Sequence, residues 1–272
     1  MRWINARPSR GMQLFLLMLP FAILIALYAM GSAARLADNA NDKLLPGLSS
    51  FAAAIDRMAL VPDQRTGEYL MWMDTKASLA RLLVGLGTST ALALVVGMLI
   101  GMLPYLRSLL APFVAVFSMV PPLALLPILF IAMGLGEASK IALIVIGVAP
   151  AMIRDLAGKA LELPREQIVK AETLGANSWQ VALRVVLPQI LPRLITCVKL
   201  QLGPAWLFLI AAEAFSSEAG LGYRIFLVRR YLAMDVIFPY VVWITLLAVV
   251  ANILLERLRV SLFPWSELEK PA

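Results

Sequence analysis

The stretch Pro164-Arg-Glu-Gln-Ile-Val-Lys170-Ala-Glu-Thr-Leu-Gly175-Ala-Asn-Ser-Trp-Gln180-Val-Ala-Leu-Arg-Val-Val-Leu-Pro188 is polar and charged, and it stands between long apolar runs. Pro164 suits the first turn of a helix, and Gly175 suits its C-terminal cap. Ser178 suits the cap of a second short helix, which Pro188 is expected to stop. Two short helices that meet at a glycine bend between membrane spans make a rigid knob. A rigid knob on a membrane protein implies a soluble partner that pushes on it.

The rest of the sequence sets that knob in a membrane. Of 272 residues, 61% are hydrophobic and 15% charged, whereas soluble domains run nearer half apolar and a quarter charged. The apolar excess is gathered in runs long enough to cross a bilayer, which takes about 20 residues each. Six such spans are predicted: 13–31, 82–103, 112–133, 141–160, 190–212 and 237–255. The fold class expected is therefore an all-α polytopic membrane protein with about six transmembrane helices. The net charge of +7 fits anionic headgroups and cytoplasmic loops better than nucleic acid.

Arg2, Arg7 and Arg10 precede the first apolar run and set an N-terminus-inside orientation, although the basic residues of the later loops are only weakly asymmetric. Six crossings then return the C-terminus to the same side. The first run is read as a retained anchor rather than a cleaved signal, because it exceeds a usual signal core and no small-x-small cleavage site follows. The segment 32–81 is expected outside, with a short amphipathic helix near Ser49 to Met58 and a return to the headgroup zone near Tyr69 and Trp72. The organisation expected is an anchor and external segment over 1–75, a transmembrane core over 76–260 holding the loop 161–189, and a cytoplasmic tail over 261–272.

Several residues inside this frame are candidates for function. Pro121, Pro122 and Pro127 fall in the third span, where each removes a backbone donor. Such breaks suit a helix that lines a pathway; the alternative is a mere kink. Glu213 precedes Gly220-Leu-Gly-Tyr223 at the expected outer end of the fifth span, and Gly220 and Gly222 permit a tight reversal. A gate loop and a capped turn are the two readings of that segment. Lys199, Gln201 and Asn252 are polar at depth, where such groups face a bundle interior or water; snorkelling to the inner surface is the favoured reading for Lys199. Gly97 and Gly101 have small-xxx-small spacing, read as packing within the chain, with self-association as the lesser reading. Trp179, Ala182 and Val186 form an apolar stripe expected to rest on the chain's own spans, with packing on a partner as the lesser reading.

Catalytic chemistry is not encoded. There is no histidine and a single Cys197, so the commonest general base and metal ligand are missing, and no metal site is expected. No phosphate-cradling Gly-x-x-x-x-Gly-Lys-Ser/Thr occurs. If a nucleotide drives this protein, another chain binds it.

The spacing from Gly175 to Leu187-Pro188, with Val185 at the Ile position, resembles the EAA loop of ABC-importer permeases. Pro121-Pro-Leu-Ala-Leu-Leu-Pro127, Gly134-Leu-Gly-Glu-Ala-Ser-Lys-Ile141, Thr173-Leu-Gly-Ala176 and Gly220-Leu-Gly-Tyr223 look like the nitrate/sulfonate/taurine branch. The likeness runs from about Lys76 to Arg257. One departure stands out: the family's Glu-Ala-Ala falls on Val169-Lys170-Ala171, and Glu166 and Glu172, one turn to either side, are left to present the acid.

The resemblance implies a type I ABC-importer permease fold with a cytoplasmic coupling-helix loop in a bacterial inner membrane. It implies two permease subunits forming a homodimer, separate cytoplasmic ABC ATPases that bind the ATP, and a periplasmic or lipid-anchored solute-binding protein. No cofactor is implied on this chain. Glu166, Ala171, Glu172, Gly175, Ala176, Leu187 and Pro188 are then the ATPase-coupling residues. Pro121, Pro122, Pro127, Glu213, Gly220, Gly222 and Tyr223 are the pathway and gate residues. The solute implied is a small nitrate-, sulfonate- or taurine-like anion. The rival reading is a stand-alone ion-coupled secondary transporter, which would favour paired acids or unwound helices at the bilayer midplane; mid-span acids are scarce here.

Overall fold

The computed structural model describes residues 9–39, 42–64 and 67–267, and every regular element among them is helical. In chain order the helices are α1 (Arg10–Asp38), α2 (Leu48–Ile55), α3 (Leu70–Met102), α4 (Pro104–Phe117), α5 (Leu126–Met133) and α6 (Glu137–Leu161). They continue as α7 (Arg165–Thr173), α8 (Ser178–Val181), α9 (Leu187–Ser216), α10 (Leu221–Arg229) and α11 (Met234–Leu262). Five helical stretches are long and apolar enough to cross a membrane, and a sixth is the pair α4 and α5 taken together. The described residues form two compact units, 9–69 with 228–241, and 70–227 with 242–267.

In the larger unit, α3, α6 and α9 form the core. Water is not what drives helices together in lipid, so close van der Waals fit has to do it. Glycines supply that fit. A Cβ on Gly85 would stand 2.8 Å from the Ile144 side chain, and one on Gly101 would stand 2.5 Å from the Ala160 Cβ. Gly97 lies against Leu156, so the Gly97/Gly101 pair is packing within the chain, between α3 and α6. Leu143, Ile144, Leu156, Ile190 and Leu209 are fully buried around these contacts.

Three expectations are corrected here. The second span begins at Leu70 rather than Leu82. Its first turns read as loop because Asp74, Thr75, Ser78 and Arg81 are polar, yet all four are buried inside the protein. The third span, expected as one helix over 112–133, is a broken pair bent by 83°. Pro121 is extended, Pro122 opens a 3-10 turn over Pro122–Leu125, and Pro127 sits in the first turn of α5. Finally, Pro188 does not stop the second short helix. A π-helical turn over Ala182–Val186 runs straight into α9, so Pro188 lies at the head of that helix.

In the smaller unit, the apolar side chains of α1 are exposed, as suits a helix that faces lipid. Ser9 caps α1 by accepting the Met12 N–H at 3.4 Å. The following turn is tied back to it: Tyr28 donates to the Pro46 carbonyl at 2.7 Å and Ser32 to the Leu45 carbonyl at 2.9 Å. The Leu44 N–H and the Arg35 guanidinium hold the Asp42 carboxyl below its ordinary range. Tyr28, Phe51 and Phe238 form a three-ring cluster with centroids 5.6–5.8 Å apart.

Candidate functional site

Two polar constellations are built on the larger unit, one at the bend between α6 and α9 and one at the far end of α9. The first begins where α6 ends at Leu161 and Pro164 caps α7. Glu166 lies in the first turn of α7, exposed, where an acid complements the helix dipole. At the other end, Gly175 adopts φ +85°. Its N–H donates to the Glu172 carbonyl at 2.9 Å, and the Ala176 N–H donates to the Ala171 carbonyl at 3.0 Å. These two bonds are a Schellman motif, which needs a left-handed residue and favours glycine.

The second short helix is capped one residue earlier than expected. Asn177 rather than Ser178 is the cap: its side chain accepts the Gln180 N–H at 2.9 Å, and Gln180 Oε1 accepts the Asn177 N–H at 3.0 Å. This reciprocal box satisfies two otherwise orphaned donors. A side-chain bond between Gln189 and Gln167, 2.8 Å long, ties α7 to the head of α9.

The knob therefore has a bonded base and an open crown. Val181, Ala182 and Val186 are buried beneath it, while Val169, Leu174 and Trp179 are 57%, 80% and 70% exposed. The expected stripe is thus divided. Ala182 and Val186 rest on the chain's own helices, but Trp179 points outward. Glu172 is exposed, Ala171 and Ala176 are half-buried, and Leu187 and Pro188 are half-buried at the start of α9.

The second constellation centres on Glu213, fully buried in the last turn of α9. Its carboxylate accepts from Ser78 Oγ at 2.8 Å, Arg81 Nη1 at 2.6 Å and the Gly222 N–H at 2.8 Å. Asp74, equally buried, accepts the Gly220 N–H at 2.9 Å and the Arg224 guanidinium at 2.7 Å. Ser78 Oγ also accepts the Leu221 N–H at 2.8 Å. The three successive N–H groups of Gly220-Leu221-Gly222 are thus held by two carboxylates and a hydroxyl, as expected where a helix N-terminus meets anions.

Glycine is required at both positions. A Cβ on Gly220, which has φ +142°, would stand 2.5 Å from Glu213 Cδ, and one on Gly222 would stand 2.7 Å from the Ile210 carbonyl oxygen. Tyr223 is half-buried on α10, and the neighbouring Arg224 guanidinium lies 5.7 Å from its ring centroid. Arg81 reaches on to Glu137, which also accepts from Lys140 at 2.9 Å. Beside this network a cavity of about 610 Å³ is lined by Arg81, Glu137, Lys140, Ser216, Ser217 and Glu218. The Ser216 and Ser217 hydroxyl oxygens are buried without a partner among the described residues.

Sequence reasoning found Glu213, Gly220 and Gly222, which the structure brings together. It missed Asp74, Ser78, Arg81, Glu137, Lys140 and Arg224. A signal was present for the first three: they recur at i, i+4 and i+7, one face of a helix. The prolines of the third span stand at the α4–α5 bend, where Arg154 of α6 donates to Ser118 at 3.0 Å. Lys199 pairs with Glu256 of α11. Asp155 holds Arg193 and accepts from the Cys197 thiol at 2.6 Å. No cluster with metal-ligating composition occurs among the described residues.

Comparison with known proteins places this geometry. The model of the binding-protein-dependent transport system inner membrane component family matches residues 93–266. The taurine transport system permease protein TauC of Escherichia coli is 35% identical over 196 residues, covering 72% of this chain and 71% of TauC. The bicarbonate transport system permease protein CmpB of Synechococcus elongatus is 28% identical over 182 residues, covering 62% of this chain and 66% of CmpB. A chain of the inward-facing MetNI methionine ABC transporter superimposes with a TM-score of 0.63 at 21% identity, over 73% of this chain and 99% of that one. The transmembrane knob-and-bundle architecture, the family match over most of the core and the identity to TauC agree: this chain belongs to the binding-protein-dependent inner membrane component family and is a multi-pass permease subunit of an ABC importer.

Proposed function

We propose that this permease imports a small oxyanion of the sulfonate, nitrate or bicarbonate kind, driven by cytoplasmic ABC ATPases that dock on residues 164–188. The family works with ATPase and solute-binding partners and a paired permease. The finer reading is a homodimer in a bacterial inner membrane, with both termini inside and a periplasmic or lipid-anchored binding protein outside. Support for the solute comes from TauC and CmpB, whose names carry taurine and bicarbonate. ATP is bound by the partner, and this chain takes no cofactor. The division into an N-terminal anchor segment over 1–75, a core over 76–260 and a tail over 261–272 belongs to the same proposal.

The observation that carries the coupling is the knob itself. Its base is tied down by the Schellman bend, the Asn177 box and the Gln167–Gln189 bond, while Val169, Leu174 and Trp179 stand exposed around Gly175. A partner seated on Glu166, Ala171, Glu172, Gly175 and Ala176 pushes on a body that continues through Leu187 and Pro188 into α9. Rigid-body movement of α9 then reaches Glu213 at its far end. There Glu213, Gly220, Gly222 and Tyr223 move as one gate element, and the Pro121–Pro127 bend opens the pathway wall.

Trp179→Cys in a Cys197→Ala background tests the reading. A membrane-impermeant maleimide should label it only from the inner face, and the cognate ATPase should block labelling. Labelling from outside, or labelling indifferent to the ATPase, overturns the docking assignment.

A further inference from the structure

We infer that the cavity behind the knob is an oxyanion site, taking a phosphate, sulfate or sulfonate group or the headgroup of an anionic phospholipid. This cavity of about 590 Å³ is walled by α6, the head of α9 and the end of α11, a volume in the range of small-ligand pockets. Its charge is unbalanced. Arg154, Lys159, Arg193 and Arg259 line it, against only Asp155 and Glu162.

Three of those cations are paired. Arg193 is held by Asp155, Lys159 lies 3.5 Å from Glu162, and Arg259 donates to Glu256 at 2.7 Å and to Ser266 Oγ at 3.1 Å. Arg154 is not. Its hydrogen bond goes to the neutral Ser118 hydroxyl, leaving a guanidinium without a carboxylate among the described residues. A guanidinium fork presented with further cations in a concave wall is the arrangement that favours a planar or tetrahedral oxyanion. Thr196 and Ser266 add hydroxyl groups to the same wall.

The site also touches the lever. Pro164, Gln167 and Gln189 line the cavity, and the Gln167–Gln189 bond is the tie between α7 and α9. An oxyanion bound here bears directly on that tie. This consequence rests on the coupling reading above, whereas binding itself does not.

The experiment uses the full-length permease without any ATPase, so its outcome is independent of docking. In phosphatidylcholine nanodiscs, calorimetric titration with inorganic phosphate and with sulfate should give saturable binding that chloride at equal ionic strength does not reproduce. In nanodiscs containing phosphatidylglycerol, native mass spectrometry should show that lipid retained over phosphatidylcholine if the occupant is a headgroup. Arg154→Gln keeps a donor for Ser118 and should weaken whichever occupant binds by about tenfold, while Arg154→Lys retains most of the binding. Circular dichroism and gel filtration identify any variant that fails to fold, and Lys159→Gln, on an exposed pair, then carries the same test. The inference is overturned if phosphate, sulfate and phosphatidylglycerol all bind no better than chloride and phosphatidylcholine, or if folded Arg154→Gln binds as the parent does.

Discussion

The Glu213 carboxylate accepts the N–H of Gly222 at 2.8 Å, so the last turn of α9 and the first turn of α10 are joined through one buried acid. The same carboxylate is bonded to Ser78 and Arg81 of α3. One side chain therefore joins three helices. Glu213→Ala should leave the Arg81 guanidinium buried with only Glu137 as its carboxylate partner, and the Gly222 N–H without an acceptor. Removing one member of a buried ion pair costs about 3–5 kcal/mol. A large fall in the detergent-solubilised melting temperature is expected. Glu213→Gln keeps the acceptor for Gly222 and should lose distinctly less. Equal stability of the parent and the alanine variant would show that the cluster holds nothing together.

The glycines separate into two kinds, and alanine substitution should tell them apart. At Gly222 a methyl group would meet the Ile210 carbonyl, which belongs to the backbone of α9 and cannot swing away. Gly222→Ala should cost about 1–3 kcal/mol through forced helix separation. At Gly175 nothing lies within 4 Å of an added Cβ, and only the positive φ resists substitution. Gly175→Ala should cost about 1 kcal/mol, and Gly175→Asn less, since asparagine tolerates the left-handed region. Gly175→Asp, which tolerates it similarly, should still insert yet abolish uptake, because it puts a bulky charge on the docking face. Thermal stability and ATP-driven uptake measured on the same preparations separate strain from docking; normal ATPase association and uptake in folded Gly175→Asp would remove the coupling role.

How much of this was legible depends on whether the physics is local. The Schellman bend was, because a glycine after a helical run reports its own backbone conformation. The bonded role of Gly220 and Gly222 was only half legible: the reversal showed in the sequence, but the acids that hold it come from Asp74 and Glu213, on two other helices. The first turns of α3 were misread for the same reason. A hydropathy average treats Asp74, Ser78 and Arg81 as solvated, and only distant partners, Glu137 and, more than 130 residues away, Glu213 and Gly220, hold them inside. Pro188 was misread because a proline does not always end a helix: the chain runs through the π turn at Ala182–Val186, and Pro188 sits in the first turn of α9.

The split stripe on the knob yields a contrast in what each residue does. Val186 is 1% exposed beneath the knob and Trp179 is 70% exposed on it. Val186→Ala should destabilise by about 1–3 kcal/mol through the small cavity it leaves. Trp179→Ala should leave the melting temperature within about a degree or two, as exposed substitutions do, while lowering ATPase association and uptake. A Trp179→Ala protein that couples normally would move the docking contact off the crown.

The Lys199–Glu256 pair offers a last test, because its two members are not equally replaceable. Glu256 accepts from both Lys199 and Arg259. Lys199→Met therefore leaves an acid that still has Arg259, on a site 37% exposed, and should cost about 1 kcal/mol or less. Glu256→Met strands the Lys199 ammonium, 20% exposed on the apolar helix α9, and removes the Arg259 acceptor as well. It should cost more than Lys199→Met, about 1–2 kcal/mol. The double variant Lys199→Met with Glu256→Met no longer carries the stranded ammonium, so it should be more stable than Glu256→Met alone. Thermal unfolding of the three variants measures this directly. If the two single variants lose equal stability, or the double variant loses the sum of both, the ion pair is not what joins α9 to α11.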